Sequence, residues 1–427
     1  MKIAVIGAGI AGLGCAHALR NQADVTVYEA DTRLGGHTHT VDVCIDGIDF
    51  AVDTGFLVYN ERTYPRLIQL FSELEVPIAK SDMSFGVSVP LEDGARLEWA
   101  GSDLGTVFAQ RRNLTSPRFL SMLADILRFN AQATRIAQGS ENTETQSLGE
   151  FLDRHRYGTP FRQWYLLPMA AAIWSCPIAT MLAYPITTFA HFCHNHGLLQ
   201  ITGRPQWFTV RGGARQYVQK IAGQLADVRA GEAVHEVRRT ASSHIAVASS
   251  SGMAEYDQVV LACHSDQSLR MLADADSDQR AVLAAIGYQD NRAILHTDVR
   301  LMPERRKVWS AWNYLSNGED TPLVSVTYLL NKLQPLPVST PLLLSLNPLL
   351  EPRPETVIAT IDYAHPVFDA AAIAAQQRLS GVQGRNGVWL AGAWTGYGFH
   401  EDGLKSGLAV ADQLRHIIAQ GPARRAA

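Results

Sequence analysis

Gly7-Ala8-Gly9-Ile10-Ala11-Gly12 stands directly behind an apolar run, Lys2 to Ile6, and opens a stretch of helical character, Ala11 to Asn21. Glycines at this spacing suit a backbone that must close on a phosphate. Gly7 permits the tight turn, Gly9 lets the main chain approach a pyrophosphate, and Gly12 lets the helix pack on the strand. The phosphate charge would rest on the helix N-terminus, where Ile10 and Ala11 form the first turn. Glu29 follows Gly7 by 22 residues. It ends a second strand, Val25 to Tyr28, where a carboxylate would accept ribose hydroxyls. The pieces describe a βαβ unit built to hold a dinucleotide.

Glu29-Ala30-Asp31-Thr32-Arg33-Leu34-Gly35-Gly36-His37 adds a second loop. Arg33 can neutralise pyrophosphate, and Gly35-Gly36 allow another close backbone approach. Enzymes that hold NAD alone do not need it. On this run the sequence resembles the flavin-containing amine oxidase superfamily (amine oxidases, protoporphyrinogen oxidases, carotenoid desaturases), whose pattern is ExxxRxGG followed by a basic or polar residue. The resemblance implies FAD, with Ala30 and His37 joining the residues above in the cofactor site.

Three further matches carry the resemblance over most of the chain. Asp53-Thr54-Gly55 resembles a turn near the flavin ring system, which places Thr54 and Gly55 there. Val228 to Val237 resembles the strand whose backbone pairs with adenine, at Val234, and Asp257 to Ala262 resembles the strand that returns to the cofactor domain. Val388 to Ala393 with Gly398 to Gly407 resembles the C-terminal flavin motif, which implies Gly392, Glu401, Asp402 and Leu404 as cofactor residues. In that motif a helix N-terminus faces flavin N1 and the C2 carbonyl, where negative charge grows on reduction. Some relatives attach flavin through a cysteine just before this motif. The last cysteine here is Cys263, far upstream, so the resemblance implies non-covalent FAD, with His37 or His400 the remaining anchors. More narrowly, His194 to Leu199, Pro205-Gln206-Trp207, Trp312-Asn313-Tyr314, His365 to Phe368 and Gly396 to Gly403 resemble a bacterial NAD/FAD-binding branch. Its members often accompany cyclopropane-fatty-acid-synthase-like proteins, an association that points to lipids.

For catalysis, amine oxidases stand two aromatic rings on the flavin face and use a lysine that reaches N5 through water. Phe399 falls at one ring position and Tyr397 lies beside it, while the strand Asn291 to Leu295 puts Arg292 at the lysine position. An arginine stays protonated and is no base. His365 and His400 read equally as proton donors or structural residues, and Trp312 as packing or substrate contact. His191, Cys193, His194 and His196 lack a nearby carboxylate or second cysteine, so no metal is expected. No GxSxG nucleophile elbow occurs.

The elements that must position these residues span 427 residues, enough for two domains. The expected fold is α/β: a Rossmann-type FAD-binding domain with a mixed α+β substrate domain. Cofactor motifs cluster in 1–75, 205–265 and 355–427, leaving 76–204 and 266–354 for the substrate. Gln138 to Ser147 reads as a surface loop, and Leu333 to Pro354 as a proline-rich apolar loop. Gln163 to Gly203 holds no Asp, Glu, Lys or Arg, yet Pro168, Pro177 and Pro185 interrupt it. Buried helices lining an apolar pocket are the expectation there, and a peripheral membrane contact the alternative. A net charge of −4 offers no field for nucleic acid. Five scattered cysteines and an opening that reads straight into a strand suit a cytoplasmic setting, membrane-associated in the alternative. The leading expectation is an FAD oxidoreductase moving hydride from a lipophilic substrate, such as an unsaturated or modified fatty acyl chain, to flavin N5. An amine oxidase acting on a small or hydrophobic amine is the alternative, and a non-catalytic flavin-binding partner the control.

Overall fold

The computed structural model describes residues 1–140, 146–174, 178–318 and 325–420. Half of the loop expected at Gln138 to Ser147, together with Cys176 and Pro177, lies outside the described residues.

Five parallel strands lie in the order Asp227–Ala230, Asp24–Glu29, Lys2–Ile6, Gln258–Leu261, Val388–Leu390. Their apolar runs are covered on both faces, as parallel sheets require. Ile3, Val5, Val27 and Val260 share one core with the helices Ile10–Leu19 and His400–Gln420. Ala4, Ile6, Val259 and Leu261 meet the opposite layer. That layer is a three-stranded antiparallel sheet (Val234–Arg239, Ile245–Ser249, Gly252–Tyr256) with the helices Ser277–Ala284 and Ala370–Arg378. The two helices of the first layer touch backbone to backbone at one point: a Cβ on Gly407 would stand 2.0 Å from the Ala11 carbonyl oxygen.

A second sheet of seven strands runs Val357–Val367, Gly287–His296, Leu343–Leu346, Ser325–Leu329, Trp312–Leu315, Phe85–Pro90, Arg96–Ala100. It is antiparallel except where Trp312–Leu315 runs alongside Phe85–Pro90. The helices Pro117–Ala137, Leu167–Trp174 and Ile186–Asn195 build an aromatic core beside it. Much of the charge-free stretch is interior: Leu166, Ala170, Phe189 and Cys193 are fully buried, while Ile201 near its end is 60% exposed. Among the described residues no helix is long and apolar enough to cross a membrane.

Several expectations change. Val228 to Val237 is two strands, because Gly231 takes a φ of +72° and turns the chain between sheets. The apolar segment Leu333 to Pro354 contains a fully buried inner strand, Leu343–Leu346, whose prolines lie outside the ladder. Two edges of the division into domains also shift. Val357–Val367, placed with the cofactor motifs, pairs along its length with Gly287–His296. Ser277–Ala284, placed with the substrate, packs under the parallel sheet.

Candidate active site

The glycine turn shows what each position must do. Gly7 takes a φ of +107°, and its N–H donates to the Tyr28 carbonyl at 2.8 Å. A Cβ on Gly12 would lie 1.9 Å from the Gly7 carbonyl oxygen, so helix and turn touch through backbone alone. Gly9 differs: a Cβ there meets no protein atom within 4 Å. The helix it opens has neither a side-chain cap nor an acid in its first turn, which leaves the amides around Ile10 and Ala11 for an anion. The second glycine pair lies against this turn. Gly35 donates to the Ala8 carbonyl at 2.9 Å, and a Cβ on Gly36, at φ +56°, would sit 3.1 Å from the Gly9 Cα. Glu29 holds the corner, accepting from Ala8 N–H at 2.8 Å and Asp31 N–H at 3.0 Å, with Ala30 exposed between them. The Arg33 guanidinium donates to the carbonyls of Thr38 (2.8 Å) and Gly36 (2.9 Å), so it first clamps its own loop. Val234 starts its strand just after the Gly231 turn, whose N–H bonds the Asp31 carbonyl.

Asp53-Thr54-Gly55 meets that loop from below. Asp53 is buried and accepts from Ala214 N–H and the Thr40 hydroxyl; burial pushes its carboxyl up to about 6. A Cβ on Gly55 would lie 2.0 Å from the His37 carbonyl oxygen. Thr54 shares a 3.0 Å hydrogen bond with the Tyr363 phenol, whose ring centroid is 4.7 Å from that of His37. His365, two residues on along the same strand, lies 5.1 Å from His37 and accepts from the Asn291 side-chain amide at 2.9 Å. Burial drives the His365 imidazole down to about 4.

Arg292 is not in this group. Successive residues of a strand face opposite ways. Asn291 is 1% exposed on the site side, while Arg292 pairs with Glu351 on the outer side. Arg292→Gln is therefore expected to keep wild-type turnover and flavin spectrum, whereas Asn291→Leu, which strands His365, perturbs both. Steady-state assays and absorbance spectra of the two variants check this.

The C-terminal motif holds the other end together. Gly403 abuts Ile10, its Cβ position 2.9 Å from that side chain, so the N-termini of two helices converge. His400 is buried, stacked on Phe56 at 3.9 Å, and shares hydrogen bonds with Tyr217 (2.7 Å) and Thr38 (3.3 Å). Desolvation drives it down to about 3, so at neutral pH it is an uncharged structural ring rather than a proton carrier. Glu401 does not reach toward a ligand: its carboxylate accepts from Arg66 and Leu67 N–H, at 2.9 and 3.0 Å, and caps the helix Pro65–Glu73. Leu404 is fully buried between the crossing helices. Asp402 accepts from Phe399 N–H at 3.0 Å and fixes the turn that presents Tyr397 and Phe399. Gly392, at φ +154°, places its carbonyl to accept from the Thr395 hydroxyl.

Beyond this turn stands a wall of rings. Phe399 stacks on Phe192 at 5.1 Å and lies 5.5 Å from His196; Tyr397 is 5.8 Å from Phe192. Burial lowers His196 to about 4. Trp312 belongs to the neighbouring core, and Phe85 and Tyr165 pack against both. Among the described residues no three of His, Cys, Asp or Glu gather as a metal site.

The family profile of flavin containing amine oxidoreductases matches residues 10–306. The chain belongs to that family. Putrescine oxidase, in a structure bound to putrescine, superposes with a TM-score of 0.69 at 16% identity, covering 97% of this chain and 99% of its own. Cyclohexylamine oxidase from Brevibacterium oxydans gives 0.67 at 16%, with the same coverages. A fatty acid isomerase from P. acnes that produces CLA gives 0.66 at 14%, covering 97% and 98%. No curated protein matches the sequence.

As a member of the flavin-containing amine oxidoreductases, the protein is an FAD-dependent oxidoreductase, and its residues fit the cofactor. The open space over Gly9 is one a side chain would fill, beside the helix N-terminus, Gly36 and Glu29. Gly7 to Gly12 would hold the pyrophosphate, Glu29 a ribose, and the convergence of His37, Thr54 and the C-terminal helix the ring system. Sequence reasoning missed Tyr363, Asn291, Tyr217 and Phe192. Tyr363 had a signal, since it precedes His365 by two residues and must share its face. Tyr217 had none, because only the tertiary fold brings it to His400.

Proposed function

We propose that the substrate is lipophilic, an unsaturated or modified fatty acyl chain, and that it is oxidised at the hydride level against the wall of Tyr397, Phe399 and Phe192. The stacking of Phe399 on Phe192 carries this reading. It joins the C-terminal flavin motif to the charge-free segment through uncharged rings, and the nearest imidazole, His196, is neutral at ordinary pH. Bound FAD supplies the two-electron acceptor. The chain's own part is to orient a C–H bond and exclude water, which an apolar wall fixed by Asp402 does. Of the three structural neighbours named above, one is named for a fatty acid. Two are named for amines, and the family match favours an amine as the second reading. Against it, the Asp402 carboxylate is turned to its own turn, and an ammonium in this wall would lose water with no partner.

Anaerobic titration separates the readings. A fatty acyl substrate should bleach the flavin band and a panel of amines should not; the reverse result overturns the proposal. Phe399→Asp places a desolvated carboxylate in the wall and should slow bleaching by about 100-fold with FAD content unchanged.

We also propose that FAD is held without a covalent bond. In space Cys263 is near the C-terminal motif, its carbonyl accepting from Trp394 Nε1–H at 3.2 Å. Its Sγ faces Ser268 at 3.2 Å, and burial raises the thiol to about 11, so no thiolate is on hand. Acid precipitation should leave the flavin in the supernatant; a yellow pellet would count against this.

A further inference from the structure

The helix Pro117–Ala137 presents apolar side chains on two sides. Phe119, Met122, Phe129, Ala133 and Ile136 point into the core. Leu120 and Leu127 are 42% and 56% exposed. With the exposed Ala124 and Ala131 they form one outward line. The only carboxylate of the helix, Asp125, is drawn inward, paired with Arg128 and accepting from Gly158 N–H. The chain ahead of the helix exposes two more: Leu104 is 77% and Leu114 53% exposed, on either side of Arg111 and Arg112 in the sequence. One exposed leucine is ordinary, but four along a single segment are not.

Beside them opens a cavity of about 570 Å³ whose charged lining is Arg96, Arg111, Arg112 and Arg305 against the lone carboxylate of Glu304. Arg305 pairs with buried Glu98. The Arg96 guanidinium donates to the Ser88 and Ser316 carbonyls, and Arg112 to the Arg96 carbonyl. Among the described residues no carboxylate lies at ion-pair distance from Arg96, Arg111 or Arg112. Exposed leucines around unneutralised arginines complement one environment in particular, where apolar tails lie beneath negative headgroups.

We infer that the surface formed by Leu104 to Leu127 and the arginine-lined cavity docks on a bilayer carrying anionic phospholipid. The leucines enter the acyl boundary, the helix lies in the plane of the membrane, and the cavity receives headgroup phosphate. The inner side of the same helix packs on Ile186–Asn195, Phe129 against Phe189 at 6.2 Å, so one helix layer separates the bilayer from Phe192. Docking stands independently of the substrate, since an enzyme oxidising a soluble amine would bind in the same way.

The test is co-sedimentation of the holoprotein with vesicles of phosphatidylcholine alone and of phosphatidylcholine mixed with phosphatidylglycerol. Binding is expected only to the mixed vesicles, with release at high salt. Leu120→Glu/Leu127→Glu and Arg111→Glu/Arg112→Glu should each lower the partition coefficient about tenfold or more. Leu120→Ser/Leu127→Ser should show a smaller loss in the same direction. Met253→Glu, at a site 61% exposed on the antiparallel sheet, should bind as wild type. Flavin content and circular dichroism confirm that each variant is folded. Equal binding to both vesicle types, binding to neither, or leucine and arginine variants that bind as wild type would overturn the inference.

Discussion

Gly9→Val protein is expected to fold and to emerge from purification colourless. The added side chain meets no protein atom, because the nearest 4 Å around the Cβ position is open. Gly9 has a φ of −76° and ψ near 180°, an extended conformation that valine adopts readily. Loss of a glycine N-cap should cost no more than about 1 kcal/mol. What the isopropyl group does fill is the space between the helix amides and Gly36, where pyrophosphate would lie. Flavin absorbance per mole of protein should fall to background, while urea unfolding matches that of flavin-stripped wild type. The stripped protein is the right reference because bound ligand stabilises by mass action. A yellow variant would remove the basis for the phosphate site.

Gly407→Val should do the opposite and attack the fold. Its Cβ would stand 2.0 Å from the Ala11 carbonyl oxygen and 2.9 Å from the Ala11 carbonyl carbon, both backbone atoms inside a helix. Nothing flexible can yield, so the helix His400–Gln420 must move away from Ile10–Leu19. That motion opens the seam where Leu13, Ala16, Leu404 and Leu414, all fully buried, now pack. A loss of roughly 3 kcal/mol or more is expected, at the upper end for overpacked cores, or failure to accumulate as soluble protein. Gly381→Ala, where a Cβ meets nothing within 4 Å, serves as the control. If Gly407→Val unfolded in urea at the wild-type midpoint, the close crossing of the helices would be wrong.

The cradle was legible in the sequence because its requirements are local. Gly7 and Gly12 are dictated by a tight turn and the contact across it, Gly35-Gly36 by their own positive φ in a loop that closes on that turn, and Glu29 by the end of its own strand. The site lost definition where partners are distant in the chain. Glu401 reads as a flavin residue by its motif, yet it caps a helix more than three hundred residues upstream. Arg292 was misplaced by a single position, since in a strand one residue exchanges the two faces and only the pairing of Asn291 with Tyr363 fixes which is which. The break at Gly231 was visible as a glycine, but a turn there could be told from a bulge only once the flanking strands had sheets to join. Phe192 was hidden for another reason. Inside a charge-free run every residue looks suited to the interior, and nothing marks the one that meets Phe399.

The strand order of the parallel sheet sets a timetable for biosynthesis. Lys2–Ile6 and Asp24–Glu29 leave the ribosome before the rest of their sheet, but Lys2–Ile6 takes its second neighbour, Gln258–Leu261, much later, and Val388–Leu390 joins after that. At roughly 5–20 residues per second, the gap from Glu29 to Val388 lasts on the order of 20–70 s. Throughout that interval the nascent sheet has apolar strands with open edges, and the opening helix has no Gly407 to nest against. Open edges and uncovered apolar strands of this kind are what make a growing chain prone to aggregate. Flavin, too, must be captured late, since the second helix terminus that completes its cradle arrives only with residue 400 and those that follow.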